Sequence, residues 1–327
     1  VISALVYREG EITQYETDAL DAARDASGTT WVRATDEGDF AAVADAFGIH
    51  PLSLEDVRND VRPKTEEYDE YTFVLVRTAM LRKGDQNFEE EVGTRPVGFC
   101  FGDDWVVTLT RRDIPAVNSV WGAVERKDPR ILRFGPDFTA SRVIDRIVDN
   151  YFELLDEVGD EIETIEEGIF ESPDKDVLQD LNAVRRDLLS FRKTVWPTRE
   201  AVSVLARGDP DYVRESTEKY YRDVYDHLVE LVDLTETYRD LARGARDMYL
   251  NTLSQSTNEV MKTLTVVATI ILPLTLVVGI YGMNFDPGAS AYNMPELGWE
   301  FGYPATMVGM AAVTGILLVY FRREGWL

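Results

Sequence analysis

The chain has 327 residues, 45% of them hydrophobic, which is enough for a full core and for two structural units. Its net charge of −25, from 59 acidic against 34 basic residues, excludes nucleic acid as a partner, because a phosphate backbone demands basic patches. A single cysteine, Cys100, excludes an internal disulfide, and two histidines with one cysteine are too few for an ordinary zinc site.

The first part of the chain reads as α/β. Residues 1–7 and 12–15 flank Arg8-Glu9-Gly10-Glu11 and predict a hairpin. Residues 30–34 predict a strand. Residues 39–48 have an acidic start, a periodic apolar body and a terminal glycine, and so predict a short helix, with a second at 51–58. Aromatic and β-branched residues over 71–81 predict a strand. Two further strands, 97–101 and 105–110, are joined by Gly102-Asp103-Asp104, a strong hairpin signal. A helix is expected at 117–126. Nothing here has the form of a phosphate-binding glycine loop or a nucleophile elbow.

From about residue 137 strand signals vanish and helical periodicity takes over. One helix is expected over 138–170, stopped by Ser172-Pro173. A second is expected over 174–207, stopped by Gly208-Asp209-Pro210 and interrupted or kinked at Pro197. A third begins near Asp211 and meets no convincing stop before Gly282. About 70 helical residues would extend roughly 105 Å at 1.5 Å each, too long for a compact core of this size.

The last part of the chain accounts for that length. Residues 263–285 and 303–321 contain no charged residue, and each approaches or exceeds the roughly 20 residues that cross a bilayer core. No charged segment followed by a short apolar stretch opens the chain, so no signal peptide is expected and insertion uses these internal spans. Lys262 precedes the first span and Arg322-Arg323 follow the second. The segment between carries Asp286, Glu296 and Glu300 and no Lys or Arg. Positive residues stay inside, so both termini are expected in the cytoplasm and the connecting loop outside. Trp299, Tyr303, Tyr320 and Trp326 fall near the expected interfaces, where aromatic belts form.

Two spans cannot enclose a hydrated ion, so a pore requires a ring of subunits. Steps of three and four along the first span join Asn258, Met261, Leu264 or Thr265, Ala268, Leu272, Thr275 and Gly279 into one stripe. Amide and hydroxyl oxygens on it can accept hydrogen bonds from the water shell of a cation, and Met and Leu can narrow the path and block it by dewetting. Small residues also favour close helix packing in membranes, so the stripe reads equally well as a helix–helix seam. Neither span contains Asp or Glu, which favours passage of a hydrated ion past neutral oxygens; Mg2+, which sheds water reluctantly, suits that scheme.

The first span ends in Tyr281-Gly282-Met283-Asn284-Phe285, and Met294-Pro295-Glu296-Leu297 follows in the loop. In these residues the sequence resembles the CorA family of magnesium transporters, whose signature is Gly-Met-Asn at the end of the first of two C-terminal spans. Asn258-Glu259-Val260-Met261-Lys262 is similar to the family's pore entrance, and so is Leu272-Pro273-Leu274-Thr275 within the span. Arg62-Pro63-Lys64 with Glu66, Tyr68 and Tyr71, and Tyr221-Arg222-Asp223-Val224-Tyr225-Asp226-His227, match the soluble part. The resemblance covers essentially the whole chain.

It implies an α/β cytoplasmic domain (1–136), long helices and a stalk (137–262), a pore helix (263–285), an extracellular loop (286–302), a second transmembrane helix (303–321) and a basic cytoplasmic tail (322–327). Five such chains would form a funnel-like homopentamer in the cell membrane. Gly282, Met283 and Asn284 would form the selectivity filter: the five Asn284 side chains ring the outer mouth and bind hydrated Mg2+, while Gly282 permits a sharp helix exit and Met283 packs the ring. The plainer alternative for Asn284 is a helix C-cap. Asn258, Met261, Leu264, Ala268, Leu272 and Thr275 would line the pore. Mg2+ would be both cargo and regulator, with Co2+ and Ni2+ as further candidates for passage. Regulatory binding in the family lies between neighbouring soluble domains, and here points to Asp223, with Asp85 and Asp247 as further acids. The 59 acidic residues are spread along the whole chain, which fits solubility in concentrated salt, so the acidic excess does not identify the sensor. The nearest rival is a zinc or cobalt/nickel transporter of the same fold. Those metals favour imidazole or thiolate, and neither span contains one. A membrane-anchored sensor would need neither stripe nor Gly-Met-Asn exit, and an enzyme is not expected, since no nucleophile–base pair or cofactor loop is present.

Overall fold

A computed structural model describes residues 1–81, 92–126, 130–171, 175–286, 288–290 and 292–326. Packing divides the chain into two compact units, Val1–Asp247 and Met248–Leu327.

The first unit is built on one sheet. Its strands are β1 (Ile2–Arg8), β2 (Glu11–Glu16), β3 (Thr29–Ala34), β4 (Lys64–Tyr68), β5 (Tyr71–Leu81), β6 (Val92–Phe101) and β7 (Trp105–Thr110). They lie in the order β2-β1-β3-β7-β6-β5-β4. Only β3 and β7 pair in parallel; the other neighbours are antiparallel. The helices wholly within this unit, among the described residues, are α1 (Leu20–Asp25), α2 (Phe40–Phe47), α3 (Pro51–Arg58), α4 (Pro115–Glu125), α5 (Arg130–Arg133), α6 (Pro136–Glu171) and α7 (Lys175–Ala206), and the first part of the helix Glu215–Tyr281 also belongs to it.

Strand side chains alternate between two faces. Ile2, Ala4, Val6, Val32, Phe73, Leu75, Val107 and Leu109 form a core with Leu20, Phe40, Val43, Phe47, Leu54 and Val57 of α1, α2 and α3. Gly48 ends α2 at φ +69°, a left-handed position suited to glycine. The opposite face carries Trp31, Val74, Val76, Phe99 and Val106, all fully buried. Against that face lie α6 and α7, and α4 reaches it through Trp121, whose ring meets Trp31 edge-on at 4.8 Å. Trp31 Nε1 donates to Thr108 Oγ1 at 3.0 Å, so the indole is both packed and satisfied. The result is an α/β/α arrangement. The segments expected as the α/β domain and most of the stalk therefore share one compact unit, because α6 and α7 bury their apolar faces on the sheet.

Several elements differ from expectation. α1, α5 and β4 carry no strong pattern of their own: β4 is the short, polar edge strand Lys-Thr-Glu-Glu-Tyr, and only its pairing with β5 makes it a strand. β6 begins at Val92 and not at 97, since its first half continues the long ladder with β5. α7 runs through Pro197 without a break. The next helix, α8 (Glu215–Tyr281), starts four residues later than expected. The preceding turn is tied down by tertiary bonds: the Asp211 amide donates to Glu67 Oε1 at 2.9 Å, the Tyr212 hydroxyl to the Asp69 carbonyl at 2.8 Å, and the Arg214 amide to Asp137 Oδ2 at 3.0 Å.

The second unit holds the end of α8, a loop with a 3-10 turn at Pro295–Gly298, and α9 (Gly302–Arg323). Both helices are long and apolar enough to cross a membrane, and only 6% of each apolar window is buried. Leu272, Val308 and Ile316 are each more than two-thirds exposed, at 68%, 69% and 69%. Apolar surface of this extent needs lipid or further subunits to cover it.

Candidate ion pathway and metal cluster

The orientation of the expected pore stripe follows from the way α9 packs. Val266 is buried, and Ile270, Pro273, Leu274 and Val277 are half-buried. Pro273, Leu274, Val277 and Tyr281 line a shallow groove of about 290 Å3 against Thr306, Gly309, Met310 and Val313 of α9. At about 100° per residue, that face is centred roughly 180° from the face holding Met261, Leu264, Ala268, Leu272 and Thr275. The stripe is exposed along its length, Asn258 included. The helix seam inside this chain is therefore the other face, and the stripe is left available.

Its chemistry is polar in a particular sense. Thr275 Oγ1 donates to the Ile271 carbonyl at 3.0 Å, and Thr265 Oγ1 to the Met261 carbonyl at 2.7 Å. Each hydroxyl proton is thus used within the helix, and the oxygen lone pairs remain as acceptors. Acceptors are what the outward-pointing hydrogens of a hydrated cation require. Met261, Leu264 and Leu272 alternate with these oxygens and offer no polar group.

At the helix exit, the Gly282 amide donates to the Val278 carbonyl at 2.9 Å and the Met283 amide to the Ile280 carbonyl at 3.1 Å, so the last turn tightens from α to 3-10 spacing. A Cβ on Gly282 would lie 3.2 Å from the Val278 oxygen, a tight contact with the preceding turn, and the residue has no positive φ. Asn284 is exposed and has no positive φ, so it is not a left-handed C-cap. Among the described residues its side-chain amide makes no hydrogen bond. The loop beyond is held by Asp286, whose Oδ1 accepts from the Gly288 amide and whose carbonyl accepts from Asn293 Nδ2, both at 2.8 Å. Lys262 Nζ donates to the Gly325 carbonyl at 2.5 Å and joins the start of the first span to the end of α9.

A second site lies in the first unit. Asp145 of α6 meets Asp223 and His227, one turn apart on α8, with one ligand atom from each residue within 4.8 Å of the others. Two ligands on opposite sides of an ion at about 2.1 Å stand about 4.2 Å apart, so this spacing admits a small divalent cation. Among the described residues the buried His227 Nδ1 has no hydrogen-bond partner, and Phe152 packs edge-on against its ring at 5.8 Å. Burial pushes the Asp145 carboxyl above its ordinary value, and Asp149 and Asp223 push the same way, against Arg142 and His227. Arg142 Nη1 lies 2.6 Å from Asp145 Oδ2. The set offers two carboxylates and an imidazole, a mixture that suits Mg2+ with retained water as well as Co2+ or Ni2+.

Of the acids singled out in the sequence, Asp223 is the one the fold places in this cluster. Asp145 and His227, the other two members of the cluster, were not singled out in the sequence. The i, i+4 pair on α8 was visible, but α6 enters from 78 positions away and carries many other acids. Asp247 is about 36 Å further along α8 at 1.5 Å per residue. It borders a groove with Arg239, Arg243 and Arg246, not with other acids. Asp85 lies outside the described residues.

Comparisons with known proteins agree with this architecture. Residues 27–323 match a family model described as CorA-like Mg2+ transporter protein. The chain is 36% identical to the cobalt/magnesium transport protein CorA of Thermotoga maritima, over 100% of this chain and 92% of that protein. It is 26% identical to the cobalt/magnesium transport protein CorA of Methanocaldococcus jannaschii, over 81% of this chain and 80% of that one. In fold it is similar to the complete CorA magnesium transporter structure from Methanocaldococcus jannaschii, with a TM-score of 0.82 at 22% identity, covering 100% and 99% of the two chains. With the family model spanning both units and a relative at this identity matched end to end, the chain belongs to the CorA-like Mg2+ transporter family.

Proposed function

We propose that this chain is one subunit of a homopentameric channel that carries Mg2+ into the cell, with Co2+ and Ni2+ as further permeant ions. The observation that supports it best is the stripe from Asn258 to Thr275, which lies on the face of α8 opposite α9. Five such faces around an axis would line a path of neutral acceptors and apolar constrictions. A cation crossing it keeps its inner water shell, and the acceptors replace outer waters. Asn284 would stand at the outer mouth, free of internal hydrogen bonds and so able to turn its amide oxygen to the ion. The spans would be 263–285 and 303–321, with Lys262 and Arg322-Arg323 on the cytoplasmic side and the acidic loop outside.

The regulatory reading rests on Asp145, Asp223 and His227. A divalent cation there would relieve the repulsion between the two carboxylates and favour one arrangement of α6 against α8. Since α8 is a single helix from Glu215 to Tyr281, a ligand that prefers one packing of its first part biases the same helix that carries the stripe. Mg2+ would thereby limit its own entry. Asp85 and Asp247 are secondary candidates for this role.

Flux into liposomes holding the purified protein, compared for Mg2+, Co2+, Ni2+, Zn2+ and Na+, tests the transport reading. Saturable Mg2+ entry without Na+ entry is expected, and Zn2+ entry without Mg2+ would favour the zinc-transporter alternative. Native mass spectrometry tests the ring, and a monomer or dimer under transport-competent conditions would refute it.

A further inference from the structure

A cationic concavity of this acidic protein lies where the chain between α3 and β4 meets α7. Arg62, Pro63, Arg77, Arg192, Lys193 and Trp196 line most of an open groove of about 570 Å3. Among the described residues four of the lining side chains are basic and none is acidic, although acids outnumber bases 59 to 34 in the chain. Random placement on this surface would favour the opposite. The four cations are not equivalent. Arg77 is held by Asp60, and Arg192 Nη1 lies 3.3 Å from Glu236 Oε1, so each of these two guanidinium groups is anchored by a carboxylate. Arg62 and Lys193 form no ion pair among the described residues. Arg77 Nε is buried with no acceptor among the described residues.

The same groove contains an aromatic platform. Trp196 is 41% exposed, unusual for a ring of that size inside the first unit. The Arg199 guanidinium sits 4.7 Å from its ring centroid, which stiffens the indole on its helix. Lys193 and Arg192 are three and four residues earlier on α7, so they share its side of the helix. Pro63 and Pro197 are both buried and add walls that cannot rearrange freely.

A flat aromatic surface beside two unpaired and two anchored cations matches a ligand with a planar base and several negative charges. We infer that this groove binds a nucleoside polyphosphate, with the base on Trp196 and the phosphates at Arg62, Lys193 and Arg77. A bare phosphate would use the cations but leave the indole exposed, and a neutral aromatic would leave the cations unpaired. The volume is within the range of small-molecule sites. The inference does not rest on the transport reading, since none of these residues belongs to the stripe or to the metal cluster.

Equilibrium dialysis of the full-length protein in detergent at low salt, with labelled ATP and separately with tripolyphosphate, tests it. Saturable ATP binding is expected. Arg62→Glu with Lys193→Glu should weaken ATP and tripolyphosphate alike by about tenfold or more, and the milder Lys193→Gln by about threefold. Trp196→Ala should weaken ATP by about fivefold or more and leave tripolyphosphate unchanged. Circular dichroism and native mass spectrometry on each variant identify any that fails to fold, and Lys193→Gln, a change at an exposed position, serves in its place. No saturable ATP binding by the wild type would overturn the inference. So would ATP affinity unchanged in the folded charge variants. Tripolyphosphate binding as tight as ATP, with no effect of Trp196→Ala on ATP, would reduce the groove to a phosphate site and overturn the nucleotide assignment.

Discussion

Replacing Asp223 by Lys should make the first unit behave as though its cation were already bound. Asp145 and Asp223 present ligand oxygens within 4.8 Å of each other. Two unit charges at that distance repel by about 3.5 kcal/mol at an effective dielectric of 20 and by about 0.9 kcal/mol in bulk water. Asp223 is exposed and Asp145 half-buried, so screening brings the effect to about 1–2 kcal/mol. The lysine ammonium removes this repulsion and adds an attraction of the same order to Asp145. Together these come to about 2–4 kcal/mol. For a unit of this size each kcal/mol moves the melting temperature by about 2–4 °C, so the metal-free variant should melt about 4–16 °C higher than metal-free wild type. Wild type should gain a comparable increment from Mg2+, since a ligand at about 100 times its dissociation constant adds about 2.7 kcal/mol. The variant should gain little. Scanning fluorimetry in detergent with and without Mg2+, paired with protease protection of α8, measures both. A wild type that Mg2+ does not stabilise, or a Lys variant that Mg2+ stabilises as much as wild type, refutes the role given to this cluster.

Three further outcomes are expected. Asn284→Ala should assemble normally and lose selective Mg2+ uptake, because the amide acceptors of the outer mouth are gone; wild-type flux in an assembled variant would contradict the filter role. The Mg2+-dependent rise in melting temperature should shrink as pH falls. Burial raises the Asp145 pKa, so its carboxylate, which the cation needs, is lost at a higher pH than that of a free Asp. The same shift has the opposite sign without metal: the folded state binds the proton more readily, so metal-free stability falls as pH rises from 3.8 through the raised value. A melting shift independent of pH across that window would remove Asp145 from the site. Trp31→Ala should destabilise the first unit by about 3–5 kcal/mol, through the cavity beside Trp121 and the unpaired Thr108 hydroxyl; denaturant unfolding that shows less than about 1 kcal/mol would mean the two faces of the sheet are not packed as described.

What the sequence by itself determined is whatever depends on neighbours along the chain. The two spans follow from uninterrupted apolar composition, the stripe from helical spacing, and the three long helices from periodicity bounded by Pro and Gly. The strands β3, β5 and β7 were legible because each is dense in β-branched and aromatic residues. The Gly282-Met283-Asn284 exit was legible as a motif, and the family followed from it. Tertiary structure alone decided what depends on partners distant in sequence. β4 is a strand because β5 offers it a ladder, and α8 starts at Glu215 because Glu67, Asp69 and Asp137 hold the preceding turn. The stripe could not be told from a packing seam until α9 was found on the opposite face of the helix. Asp145 was one acid among 59 until α6 brought it to Asp223 and His227. The physical reason is the same in each case: hydrophobic periodicity is a local property that a sequence displays directly, whereas charge clusters and edge pairing are set by which surfaces the core brings together.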